Sequence, residues 1–173
     1  MSKLLHLLTG GALLVVLALP TSAQIHYYAY LNGLNERPTP TDSTATGFGT
    51  VTLLGPNSAS VTLEWEGLTG DAIAAHIHGP ATPDQAAGVT FGFWNPPASS
   101  PMPPSGSFST TWAITDQQLD WLRKGLLYMN IHTNQFRGGE IRGQIITPEP
   151  GVLAMLVGGL VPLALLARRR MKK

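Results

Sequence analysis

Apolar and polar residues alternate with a period of two in eight short stretches of the chain, and Gly, Pro and Asn separate the stretches. A strand presents successive side chains to opposite faces, so this alternation predicts strands over 25–31, 47–54, 59–66, 73–78, 89–94, 107–114, 127–132 and 140–146. Eight short strands predict an all-β sandwich or barrel. Gly55-Pro56-Asn57-Ser58 predicts a hairpin between the second and third strands. One short helix interrupts the pattern. Thr115 with Gln118 three residues later forms a capping-box motif, Leu119 and Leu122 share a face, and Gly125 closes the segment. Residues 95–106 hold five prolines and cannot pair inside a sheet, which predicts a semi-rigid surface crossover. Trp65 alternates with Glu64 and Glu66, so its ring belongs to the core rather than to a sugar-stacking surface.

Three of the strands keep their polar groups on one face. Ile73, Ala75 and Ile77 alternate with His76 and His78; Leu127, Met129 and Ile131 alternate with Tyr128, Asn130 and His132; Ile141, Gly143 and Ile145 alternate with Glu140, Arg142 and Gln144. If these strands are neighbours, three imidazoles, a carboxylate, a guanidinium and a phenol share one surface. Two physical readings follow. His76 and His78 with His132 form a three-nitrogen set suited to zinc or copper, with a fourth position for water or Glu140. Alternatively, the same groups form a structural network with Tyr128, Asn130 and Arg142, in which each buried member needs a hydrogen-bond partner.

Charge changes the picture once the ends are considered. The formal net charge is +1, but Lys3 and the five cations of Arg168 to Lys173 supply six of the eleven basic residues. Residues 24–147 carry five cations against nine carboxylates, a net charge of about −4, and no basic stripe, which argues against nucleic acid as a partner. The absence of cysteine excludes disulfides, thiolate metal sites and Cys nucleophiles. No Gly-x-Ser-x-Gly elbow and no paired carboxylates are found, so no catalytic residue is assigned and a non-enzymatic role is expected.

The first 23 residues have a positive start, an apolar stretch and a small-residue ending, the pattern of a secretory signal peptide cut after Ala23. Sec-type export and signal peptidase are then the first partners. At the other end, Pro148-Glu149-Pro150 precedes seventeen uncharged residues, 151–167, and the basic tail 168–173. Seventeen helical residues rise about 25 Å, enough to span a bilayer core of about 30 Å only narrowly. The basic tail holds its own end in the cytoplasm, which places the remainder outside.

This C-terminal arrangement resembles the PEP-CTERM sorting signal. That resemblance implies transient residence in the inner membrane, cleavage near Pro148-Glu149-Pro150 by an exosortase-type protease, and final placement at the cell surface, outer envelope or extracellular matrix. Residues 24–147 resemble the CHRD domain. The resemblance rests on Leu31-Asn32-Gly33 with Glu36 and Pro38, Thr44-Ala45-Thr46-Gly47, Gly67-Leu68, His76-Ile77-His78-Gly79-Pro80-Ala81, Tyr128-Met129-Asn130-Ile131-His132-Thr133 and Gly138-Gly139-Glu140-Ile141-Arg142-Gly143-Gln144-Ile145. It implies an immunoglobulin-like Greek-key β-sandwich and no particular enzymatic activity. Arg37 and Asn134-Gln135-Phe136-Arg137 depart from the family pattern, both in predicted loops. The expected role is an exported surface or matrix module that binds an exopolysaccharide or envelope protein, with a zinc- or copper-binding protein as the alternative.

Overall fold

The computed structural model describes residues 24–94 and 101–147. The signal segment, the sorting motif with its apolar stretch, and part of the proline-rich crossover lie outside the described residues. Among the described residues no helix is long and apolar enough to cross a membrane.

Eight strands form where the alternation places them: β1 His26–Asn32, β2 Thr46–Gly55, β3 Ser58–Glu66, β4 Ala72–His78, β5 Val89–Trp94, β6 Gly106–Trp112, β7 Tyr128–Thr133 and β8 Ile141–Gln144. Among the described residues the one α-helix, α1, spans Asp116–Arg123, and its capping box closes as expected, with Thr115 accepting from the Gln118 backbone and Gln118 accepting from Thr115 N–H. Leu119 and Leu122 bury its apolar face. Gly55 pairs with Ser58, so Pro56-Asn57 makes the β2–β3 turn.

All paired strands are antiparallel, in the order β5-β4-β7-β8-β1-β2-β3-β6. The expected all-β sandwich forms with its two halves joined edge to edge: hydrogen bonding runs through all eight strands, and the sheet folds over one apolar core drawn from both halves. Its edge strands approach each other through Phe91 of β5 and Trp112 of β6, stacked at 5.1 Å. The sheet is therefore nearly closed.

The continuity depends on the β8–β1 junction, where Asn32 pairs with Arg142 and Tyr28 bridges Ile146. Gly143 lies at this seam. A Cβ on it would sit 2.5 Å from the Tyr30 carbonyl oxygen and 2.7 Å from its carbon. Both are backbone atoms that cannot move aside like a flexible side chain, so only glycine lets the strands approach this closely. The Gly143→Ala variant is expected to lose about 1–3 kcal/mol of stability in urea denaturation, whereas an unchanged midpoint would mean that the seam can widen freely.

A covered polar face and its three histidines

Cross-strand register assembles the site. His78 lies opposite Tyr128, which lies opposite Gln144; His76 lies opposite Asn130, which lies opposite Arg142; His132 lies opposite Ala74. The polar faces expected for three separate strands thus become one surface on β4, β7 and β8. Their apolar faces enter the core, with Ala75, Ile77, Met129, Ile131 and Ile141 all buried.

The polar face is also buried, because loops cover it. The segment after β4 supplies carbonyl acceptors: Arg142 Nη1 donates to Gln85 O at 2.8 Å, Arg142 Nη2 to Thr82 O at 3.2 Å, and Gln144 Nε2 to Ala81 O at 2.9 Å. Ala87 is held from both directions: its N–H donates to Tyr128 Oη at 3.0 Å, and its carbonyl accepts from the same hydroxyl at 3.2 Å. The Arg142 guanidinium carbon lies 3.5 Å from the Tyr128 ring centroid, a cation–π contact. The His78 ring lies nearly parallel to the same phenol at 5.0 Å. Tyr128 and Arg142 thus meet each other and share the loop that covers them.

Within that layer His76, His78 and His132 converge, each offering a ring nitrogen within 4.8 Å of the others. Two of the rings are oriented by carbonyls. His78 Nδ1 lies 3.0 Å from Ala87 O, and His132 Nδ1 lies 3.0 Å from Arg137 O. A carbonyl accepts only, so both Nδ1 atoms carry hydrogen and both Nε2 atoms present lone pairs. His132 Nε2 meets His76 Nδ1 at 3.2 Å. His78 Nε2 is buried and has no hydrogen-bond partner. Burial lowers the pKa of all three below the usual imidazole value, His132 to about 4. The group is consequently neutral at pH 7, the state in which imidazole ligates metal.

Glu140 is not brought to this group. Its carboxylate accepts from Ser43 Oγ at 2.7 Å, Thr69 N at 2.8 Å, Thr69 Oγ1 at 2.9 Å and Thr133 Oγ1 at 2.6 Å. Burial alone would raise its pKa, but these bonds together hold it below the ordinary value. Glu140 clamps the segments before β2 and β4 onto β7, and is corrected from the proposed fourth ligand to a structural acceptor.

The carboxylate on the histidine side is Glu36, quoted from the sequence only as part of a family motif. It follows the 3₁₀ turn Gly33–Asn35 and is 3% exposed. Asn130 Nδ2 donates to its Oε2 at 3.3 Å, while Glu36 Oε1 and Asn130 Oδ1 are both buried without partners. Gly139, at φ 135°, lies over the pair, and a Cβ there would come within 2.6 Å of Glu36 Oε1. Burial raises Glu36 to about 7, with Arg142 and the Asn130 hydrogen bond opposing the rise. A proton on Glu36 would give this carboxyl a donor, which its ionised form lacks. No pattern of alternation marks Glu36, because a loop rather than a strand delivers it.

The profile of the CHRD domain family matches residues 27–145. No curated protein and no solved structure matches the chain.

The raised Glu36 pKa has a definite sign. Between pH 4.5 and 7 the folded state retains a proton that the unfolded state has released, so this group's contribution to stability falls as pH rises through that window. His132 acts oppositely between pH 4 and 6.5, where the unfolded chain binds the proton and the folded chain does not. Comparison with Glu36→Gln isolates the carboxyl: relative to this variant, the wild type is expected to lose on the order of 2–3 kcal/mol between pH 4.5 and 7 in urea denaturation. A pH-independent difference would show that Glu36 does not titrate in this range.

Proposed function

The chain belongs to the CHRD domain family, and from that premise we propose that it is an exported, non-enzymatic surface or matrix module whose three-histidine group binds one zinc or copper ion. The observation that carries the metal assignment is the unpartnered, buried Nε2 of His78, on a ring held by a carbonyl and grouped with two other neutral imidazoles. An orphaned acceptor in such a place costs about 1–3 kcal/mol. A metal ion would relieve that cost, and a backbone carbonyl accepting the other ring N–H is a usual outer partner of a metal-ligating histidine. Zinc–nitrogen bonds are about 2.0–2.1 Å, so the three nitrogens would have to draw closer together. His76 is only partly buried and has no carbonyl holding it, so it is the ring best placed to move.

Three imidazoles would leave one coordination position open. With Glu140 fully engaged elsewhere, that position would go to water or to a group on a bound partner, such as an envelope protein or exopolysaccharide. The non-enzymatic role is supported by the sequence, which offers no Gly-x-Ser-x-Gly elbow and no paired carboxylates. Elemental analysis of the purified, exported chain tests the metal. One equivalent of zinc or copper is expected, lost in His78→Ala and His132→Ala. At one hundred times its dissociation constant the ion should stabilise the fold by about 2.7 kcal/mol. A metal-free protein whose unfolding ignores both ions would leave the histidines as a purely structural network.

Export and sorting are supported by the two terminal segments. In this reading the chain passes the Sec translocon, loses residues 1–23, rests in the inner membrane through 151–167, and is cut near Pro148-Glu149-Pro150 by an exosortase-type protease. Intact-mass measurement of the exported protein should find Gln24 as the first residue and the basic tail missing; a mature form that retains Lys173 would refute the cleavage.

A further inference from the structure

Large apolar side chains left exposed among the described residues are Ile25, Tyr30, Leu34, Leu54, Val89 and Ile146. Two of these, Tyr30 and Ile146, lie in one stripe with Tyr28 and Phe48. The stripe follows the outer face of β1, the start of β2 beside it and the segment after β8. Register establishes the neighbourhood: Tyr30 lies opposite Phe48, and Tyr28 bridges Ile146. Ring contacts join its members. Tyr28 and Phe48 stack at 5.9 Å, and Tyr30 meets Phe48 at 5.0 Å. Over β4, β7 and β8 the same side of the sheet is covered by loops; over β1 and β2 it is open.

The last described residue, Thr147, lies on this stripe. Thr147 lines one shallow hollow with Tyr28, Tyr30, Phe48 and Ile146. The apolar stretch begins only four residues later, at Gly151, a reach of at most about 14 Å. We propose that the Tyr28, Tyr30, Phe48 and Ile146 face rests on the lipid surface while the tail holds the chain in the membrane. This rests on the reading of 151–167 as a membrane segment.

The chemistry selects lipid over carbohydrate. Tyr rings suit the headgroup boundary, where one end of a side chain is apolar and the other wet. Phe48 and Ile146 add purely apolar surface, which offers nothing to sugar hydroxyls. Glu64 and Glu66 on β3, opposite Phe48 and Thr46, mark the border at which the contact stops and water begins. A face of this size gives weak, reversible membrane contact by itself. It therefore orients the tethered chain, keeps Pro148-Glu149-Pro150 at the membrane plane, and lets the domain leave once the tether is cut.

The cysteine-free sequence permits single spin labels. The full chain without its signal segment, reconstituted in phosphatidylethanolamine–phosphatidylglycerol vesicles, would carry a label at Tyr30→Cys or Phe48→Cys, at Thr111→Cys on the exposed face of β6, or at Leu160→Cys in the tail. Labels at Tyr30 and Phe48 should collide with a water-soluble nickel complex several-fold less often than the Thr111 label and more often with oxygen. A Tyr30 label as open to nickel as Thr111, beside a shielded Leu160 label, overturns the docking face but leaves the membrane segment standing. An open Leu160 label removes both. Shielding of Tyr30 that follows protein concentration, or that requires added polysaccharide, assigns the face to a second copy or to carbohydrate and likewise overturns the proposal. Tyr30 is 68% exposed, so its substitution leaves the core intact even if Phe48→Cys does not fold.

Discussion

A guanidinium that is 1% exposed sets the terms for half of this molecule. Arg142 stands on the polar side of the sheet, where an uncompensated charge would cost several kcal/mol. Its compensation comes from the carbonyls of Thr82 and Gln85, the side-chain amide of Gln144, the face of Tyr128 and the field of Glu36. None of those carbonyls belongs to a strand. The loop after β4 must therefore lie on the sheet. The domain has two interiors as a result: an apolar one between the sheet halves, and a polar one between the sheet and its loops.

The three histidines occupy the polar interior, and that location explains their charge state. Desolvation disfavours the imidazolium, and the nearby Arg142 cation further disfavours it at His78. The same cation would oppose a bound metal ion. Glu36 offsets it when ionised, and the face of the Tyr128 ring, which also stacks on His78, attracts the guanidinium. The proposed ion would answer one of the three orphaned acceptors of this polar interior, at His78, Asn130 and Glu36. The apolar core could not receive an ion, because its contacts are non-directional and already complete.

The strands were legible from the sequence because one buried face and one polar face impose a period of two; β7 and β8 obey it, and β4 does from Ala75 on, after a bulge that buries Ala72 in place of Ile73. The capping box of α1 was legible because Thr115 and Gln118 satisfy each other's backbone within a single turn. Glu140 and Glu36 show where that legibility stops. Glu140 shares the alternation of Arg142 and Gln144, yet it lies just before β8, where the chain has left the pleat, and it turns to Ser43, Thr69 and Thr133. Glu36 has no periodic neighbours, yet a loop carries it to Asn130, 94 residues away in sequence.

By itself the sequence determined the eight strands, the turn between β2 and β3, the helix and its caps, and the side of each strand on which His76, His78, His132, Tyr128, Asn130 and Arg142 stand. Each of these follows from interactions among residues a few positions apart. The tertiary structure alone decided that the ladder continues across β8 and β1, that the polar face is buried, and that Glu36 rather than Glu140 accompanies Arg142 and Asn130. Those outcomes depend on which loops the buried charge draws onto the sheet. The contacts involved join residues dozens of positions apart, and local periodicity carries no record of them.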